Sequence, residues 1–173
     1  MGAKKNIVLF GFMGTGKTRV GRAVAERLGM TYVDLDDLIE AREGTTISEI
    51  IATKGGQHFR RVEAEVAAEA STLAGHVIAT GGGVVLREAN VRELERGGIG
   101  ICLNATPEEI LERVKHETHR PLLEVADRLG AIRSLLEYRA PFYAKVSHQV
   151  ETTGKPLEAV AEEVIAIWQR ESQ

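Results

Sequence analysis

Cysteine is almost absent. Cys102 is the only one, so no disulfide can form within the chain, and its neighbours Ile101 and Leu103 mark a buried strand position where a thiol serves as a small hydrophobe. That usage fits a reducing cytoplasm. Long apolar runs are missing as well: nothing approaches the roughly 20 consecutive apolar residues of a membrane-spanning helix. Met1 to Phe10 carries two lysines but too short an apolar run for a secretory signal. A soluble, cytoplasmic protein is expected. Charge of one sign is also lacking, since 22 Lys and Arg against 25 Asp and Glu give a formal net charge of −3. That balance offers no electrostatic footprint for a nucleic-acid backbone or an anionic membrane, so any bound anion must be held locally. No repeat, low-complexity tract or linker divides the 173 residues. A chain of this length buries roughly 70% of its unfolded surface without disulfides or structural metal, and a single domain over 1–173 is expected, acting as a monomer.

What is present is glycine, 18 residues of it, gathered in clusters. Clustered glycine points to loops shaped for a ligand. Asn6 to Phe10 reads as a short apolar strand, Gly11 to Thr18 as a glycine-rich turn, and Arg19 to Leu28 as a helix with Val20, Val24 and Leu28 at helical spacing, stopped by Gly29. Thr31 to Val33 predicts a second strand running into Asp34, Asp36 and Asp37, followed by short helices at Leu38 to Arg42 and Ile47 to Thr53. One long helix is expected from Gln57 to Leu73, where Phe59, Val62, Val66, Ala70 and Leu73 form a single apolar stripe. His76 to Ala79 gives a third strand ending in Gly81, Gly82 and Gly83. A helix near Arg87 to Arg96, a strand Ile99 to Leu103 and a helix opened by Thr106 and Pro107 continue the alternation. Lys115 to Ala126 interrupts it. A helix from Asp127 to about Arg139, a strand near Gln149 to Glu151 and a last helix bearing Leu157, Val160, Val164 and Trp168 complete the chain. Strands alternating with helices imply an α/β fold, a parallel sheet covered on both faces. The irregular regions near 34–62 and 115–126 read as insertions at the carboxyl ends of the strands, where such sheets bind ligands.

Gly11-Phe12-Met13-Gly14-Thr15-Gly16-Lys17-Thr18 matches the full phosphate-loop pattern and lies between a strand and a helix, as its mechanism requires. Backbone N–H groups of Gly14, Thr15 and Gly16 would cradle the β-phosphate at the helix N-terminus. Lys17 would bridge the β- and γ-phosphates, and the Thr18 hydroxyl would ligate Mg²⁺. A nucleoside triphosphate is the expected ligand.

Asp34 and Asp36 would share one side of an extended backbone, placing two carboxylates near the metal and an acceptor hydroxyl. One would hold water on the metal and the other would orient or deprotonate the hydroxyl; helix capping is the structural alternative for either. Arg60 and Glu63, three apart on a helix, form either a solvated pair or a guanidinium held ready for an incoming carboxylate. Arg139 shares a stripe with Ile132, Leu136 and Tyr143, and a charge on that apolar face needs a partner. Pro141 predicts a kink there. Gly81-Gly82-Gly83 would admit close backbone approach to a flat or ringed acceptor. Arg120, before Pro121, is either an exposed loop arginine or a finger that folds over the γ-phosphate in cis. His116 and His119 lack companion ligands at metal-binding spacing and read as surface residues.

Taken together, Gly11 to Thr18, Asp34-Leu35-Asp36, Phe59-Arg60-Arg61-Val62-Glu63, Gly81-Gly82-Gly83, Arg120-Pro121-Leu122-Leu123 and Arg139-Ala140-Pro141 resemble the shikimate kinase family in order and spacing along nearly the whole chain. The resemblance implies a three-layer α/β/α P-loop fold of the nucleoside-monophosphate-kinase type. Its features would be a five-stranded parallel sheet, a shikimate-binding segment near 34–62 and a lid near 115–126. It implies ATP-dependent phosphorylation of the shikimate 3-hydroxyl in chorismate and aromatic amino-acid biosynthesis. On matching positions, Asp36 would contact the ring hydroxyls as base or orienter and Asp34 would sit near magnesium. Arg60, Arg139 and the glycine run would hold shikimate, with Glu63 supporting Arg60. Lys17 and Arg120 would stabilise the transferring phosphoryl, and Arg113 would stack on adenine. Some relatives carry an arginine near the carboxyl end where this chain reads Thr152-Thr153-Gly154-Lys155-Pro156, so backbone contacts are expected there.

Rival readings are a kinase for gluconate or another carboxylated polyol, a shikimate-sensing transcription regulator and a catalytically silent binding protein. The paired Arg60 and Arg139 with the triple glycine favour shikimate over gluconate. A phosphate loop starting ten residues in leaves no room for a preceding DNA-binding module. Retention of Lys17, Asp36 and Arg120 argues for activity.

Overall fold

In the computed structural model, residues 2–115 and 125–173 are described. The central strand β1 (Asn6–Gly11) is buried at every position, as a continuous apolar run flanked on both faces should be. Strands β2 (Thr31–Asp34), β3 (His76–Ala79), β4 (Gly98–Asn104) and β5 (His148–Glu151) join it in the order β2-β3-β1-β4-β5. All four pairings are parallel, with Leu9 opposite Ala79 and Ile101, and Asp34 opposite Ala79. The sheet is the five-stranded parallel one expected.

Alternation along β1 sorts the core into two layers. Ile7 and Leu9 face helices α1 (Lys17–Leu28) and α8 (Leu157–Glu171), through Val20, Val24, Val160 and Val164. Val8 and Phe10 face the other layer, built from α2 (Leu35–Glu43), α3 (Ile47–Lys54), α4 (Gly56–Ala70), α5 (Glu88–Gly97), α6 (Pro107–Val114) and α7 (Arg128–Tyr143). A 3₁₀ turn, Val84–Leu86, follows the glycine run and was not visible in the periodicity. Cys102 sits fully buried on β4, where burial pushes its thiol up to about 12.

Two local expectations are corrected. The backbone after β2 is helical, not extended: Asp34 is the N-cap of α2, its carboxylate accepting the Asp36 N–H at 2.8 Å. Asp36 and Asp37 therefore occupy the first turn, where the helix dipole favours acidic side chains. Helix α7 does not end or break at Arg139 but runs through Pro141 to Tyr143. An internal proline forfeits a hydrogen bond at a cost of about 3 kcal/mol, yet Ile132, Arg139 and Tyr143 are all buried on this helix. Hydrogen bonding also resumes immediately, with the Ala144 N–H on the Ala140 carbonyl at 3.0 Å, so packing outweighs the local penalty.

Candidate active site

The phosphate loop joins β1 to α1. Gly14 and Gly16 adopt left-handed φ values of 76° and 96°, a conformation that costs other residues about 1–2 kcal/mol. A β-carbon at Gly14 would also lie 2.8 Å from a Val114 methyl. The Thr15 hydroxyl turns inward to the Phe12 carbonyl at 2.8 Å, closing the loop on itself. The Lys17 ammonium spans the loop, donating to the carbonyls of Gly11 at 2.5 Å and Phe12 at 3.0 Å. Thr18 is exposed to a cleft of about 720 Å³ that Lys17, Asp34, Asp36, Gly81, Gly82 and Arg113 also line.

The two carboxylates expected from sequence both reach this cleft, and the alternatives of capping and site lining are realised together in Asp34. Its second oxygen accepts the Tyr32 hydroxyl at 3.4 Å, and burial raises its pKa against the stabilising Asp36 N–H. Burial pushes Asp36 up to about 6, Asp34 adding repulsion and Lys17 opposing it, with Glu63 and Glu40 contributing further repulsion. Asp36 thus lies close to neutrality in its titration.

The triple glycine is where this cleft meets the arginines. A β-carbon on Gly81 would stand 2.8 Å from an Asp36 carboxylate oxygen and 3.3 Å from Glu63. On Gly82 it would be 3.3 Å from the Arg139 guanidinium, and on Gly83 only 2.5 Å from both terminal nitrogens of Arg60. The run is filled by the protein's own polar groups, two carboxylates set against Gly81 and one guanidinium against each of Gly82 and Gly83. Arg60 and Glu63 form the expected i,i+3 pair at 2.9 Å, with the Glu63 side chain 3% exposed and the Arg60 side chain 42%. Burial raises the Glu63 pKa, and Arg60, then Arg139, pull it back. Arg139 is itself 5% exposed. Its guanidinium lies 5.8 Å from the centre of the Phe12 ring, and its Nε has no hydrogen-bond partner among the described residues. Leaving a buried guanidinium N–H unmet costs desolvation free energy.

Arg113 lies in the same cleft but is already engaged. It donates to the Gly14 carbonyl at 3.1 Å and to the Thr152 hydroxyl at 3.1 Å, and pairs with Glu109 at 3.1 Å. It thereby ties the phosphate loop to the turn after β5. Thr152, Lys155, Pro156 and Leu157 form the wall opposite. Arg120, His116 and His119 lie outside the described residues.

Sequence reasoning missed Tyr32 as a site residue and used Tyr143 only as a packing position. Tyr32 was findable, because residues two apart on a strand share a face and this places its hydroxyl beside Asp34; burial raises its pKa to about 12. The Tyr143 hydroxyl donates to the Gly82 carbonyl at 2.5 Å.

Comparison with known proteins agrees with this arrangement. The profile of the family described as "Shikimate kinase" matches residues 13–169. A shikimate kinase from Thermodesulfovibrio yellowstonii is 46% identical over 166 residues, 96% of each chain. One from Caldanaerobacter subterraneus is 47% identical over 161 residues, 93% of this chain and 94% of that one. Among solved structures, the shikimate kinase from Acinetobacter baumannii in complex with shikimate superposes with a TM-score of 0.91 at 35% identity, covering 97% of this chain and 94% of the other. A gluconokinase from Sinorhizobium meliloti, at 18% identity and a TM-score of 0.62 over 99% and 95% of the chains, shares the fold alone. A phosphate loop, an acidic pair and two arginines gathered on one glycine run are thus found on a chain matched almost end to end, and it belongs to the shikimate kinase family.

Proposed function

We propose that this chain transfers the γ-phosphoryl group of ATP to the 3-hydroxyl of shikimate, giving shikimate 3-phosphate and ADP in the biosynthesis of chorismate and the aromatic amino acids. The observation that carries the reading is the glycine run, which gathers Asp36, Arg139 and Arg60 at one end of the phosphate-loop cleft. Two guanidiniums suit a carboxylate, and a carboxylate at the cleft suits the hydroxyl to be phosphorylated.

In this mechanism the loop amides and Lys17 hold the β- and γ-phosphates, and Arg113 braces the loop beside the base. Stacking of Arg113 on adenine would draw on a guanidinium already fixed in place. Arg60 and Arg139 anchor the shikimate carboxylate, with Glu63 keeping Arg60 in place. Asp36 orients the 3-hydroxyl and accepts its proton as the oxygen attacks phosphorus, for which a pKa of about 6 is well matched. The transition state is loose, so alignment contributes more than proton removal. Arg120 would add positive charge over the γ-phosphate.

Magnesium fits the oxygens on offer. The Thr18 hydroxyl and the Asp34 carboxylate are hard donors, and this ion commonly takes only one or two protein oxygens beside phosphates and waters. Among the described residues no cluster of three or more His, Cys, Asp or Glu side chains stands ready to hold a metal alone, consistent with an ion that arrives with the nucleotide. When bound it neutralises charge between the β- and γ-phosphates.

We read residues 1–173 as one kinase domain working as a monomer in the cytoplasm, with an acceptor segment near 34–62; the lid expected near 115–126 lies almost wholly outside the described residues. No helix among the described residues is long and apolar enough to cross a membrane. The test is ADP release in a coupled assay with ATP and Mg²⁺, comparing shikimate, gluconate and a nucleoside monophosphate. Turnover with shikimate alone is expected; turnover with gluconate instead would overturn the acceptor assignment.

A further inference from the structure

Arg139 is a buried cation whose surroundings must do two things before any acceptor arrives: keep it charged and keep it aimed. Glu63 is paired first with Arg60, and the Phe12 ring offers only its face. Nothing among these fixes the rotation of the guanidinium about its own axis. Tyr143 stands four residues on, one helical turn along α7, where i and i+4 side chains meet.

Tyr143 is 5% exposed. Packing alone would be met by phenylalanine, so a buried hydroxyl here requires a hydrogen-bond partner. It donates to the Gly82 carbonyl at 2.5 Å. The positive charge of Arg139 draws the phenol's pKa down while burial, the stronger influence, takes it to about 12. Gly82 is itself the glycine against which Arg139 packs, a β-carbon there lying 3.3 Å from Nη1. Arginine and phenol are therefore both set against Gly82, the phenol hydrogen-bonded to its carbonyl and the guanidinium packed on its α-carbon.

We propose that Tyr143 is a positioning residue for the acceptor: its hydroxyl, anchored on the Gly82 carbonyl, sets the orientation in which Arg139 meets the acceptor carboxylate. This rests on the assignment of Arg139 to acceptor binding. Tyr143 touches neither substrate and takes no part in phosphoryl transfer. Its removal should weaken acceptor capture, leaving nucleotide binding and the chemical step nearly as they were.

The test is Tyr143→Phe in the full chain, assayed with shikimate and ATP, beside Arg139→Lys and the double variant. We expect KM for shikimate to rise about tenfold in Tyr143→Phe, the upper worth of one hydrogen bond, with kcat and KM for ATP within about twofold of the parent. The double variant should be no worse in shikimate KM than Arg139→Lys alone, because the hydroxyl acts through the arginine. An unchanged shikimate KM in Tyr143→Phe, or penalties that simply multiply in the double variant, would overturn the proposal. Should Arg139→Lys itself leave shikimate KM unchanged, the acceptor assignment fails, a result distinct from failure of the tyrosine. Thermal melts of each variant guard against misfolding: a lowered Tm with an unaltered shikimate KM would mean that Tyr143 is structural only.

Discussion

The guanidinium of Arg60 lies directly against the α-carbon of Gly83, so that a β-carbon there would come within 2.5 Å of both terminal nitrogens. Gly83 has φ −99° and ψ 3°, a backbone conformation open to alanine. Gly83→Ala should therefore leave the fold almost intact while forcing a flexible, half-exposed side chain to swing away. We expect KM for shikimate to rise about tenfold, the worth of one charge-assisted contact, with KM for ATP unchanged. Steady-state kinetics against both substrates checks this, and equal losses for both would contradict it.

Arg139 carries the opposite balance of stability and function. As a buried cation whose Nε is unmatched among the described residues, it costs the ligand-free protein desolvation free energy. Arg139→Met should melt no lower than the parent in the absence of ligand. It should also lose shikimate affinity by about 100-fold, corresponding to a bidentate carboxylate contact of about 3 kcal/mol. Differential scanning calorimetry with and without shikimate reads both effects, and a large drop in the ligand-free Tm would count against the argument.

Asp36→Asn should reduce kcat by about 100-fold, within the usual range for a positioned general base, with nucleotide affinity within about threefold of the parent. Binding of ADP by calorimetry separates the two. An enzyme crippled in nucleotide binding would reassign Asp36 to the phosphate side.

The same carboxylate sets a pH dependence in two observables. Its pKa is raised from 3.8 to about 6, so the reactive carboxylate form of the free enzyme appears only as pH climbs through about 6. The profile of kcat/KM for shikimate should accordingly rise with an acid limb near that value. Stability runs the other way: a raised pKa favours the folded state below pH 3.8, and that contribution is lost as pH rises through about 6. Asp36→Asn should thus gain about 3 kcal/mol at pH 8, or about 6–12 °C in Tm, and little at pH 4. Melts at the two pH values check the sign.

The phosphate loop was fully legible in the sequence, because its function depends on backbone geometry that glycine spacing encodes directly. The sheet was legible too, from apolar runs such as Asn6 to Phe10. The setting of the acidic pair was not. Two aspartates after a strand read equally as extended or as a helix start, and the choice was made by a single side-chain cap from Asp34 to the Asp36 N–H. Pro141 was read by its local preference, which the burial of Tyr143 overrode. The glycine run was recognised as a place of close approach, but what approaches it is settled by helices α2, α4 and α7 meeting in space. No local pattern in the chain records that meeting.

The division of the core into two layers has a consequence for how such an enzyme can change. Helix α1, which begins at Lys17, is seated on one face of the sheet, whereas Asp36, Arg60 and Arg139 all ride on helices of the other. Substitutions remote from the phosphate loop in either layer should add independently, whereas α6 is bound to the loop itself, because Arg113 donates to the Gly14 carbonyl. Selection, or an engineer, can therefore explore new acceptors through α2 and α4 while α6 keeps its hold on the loop.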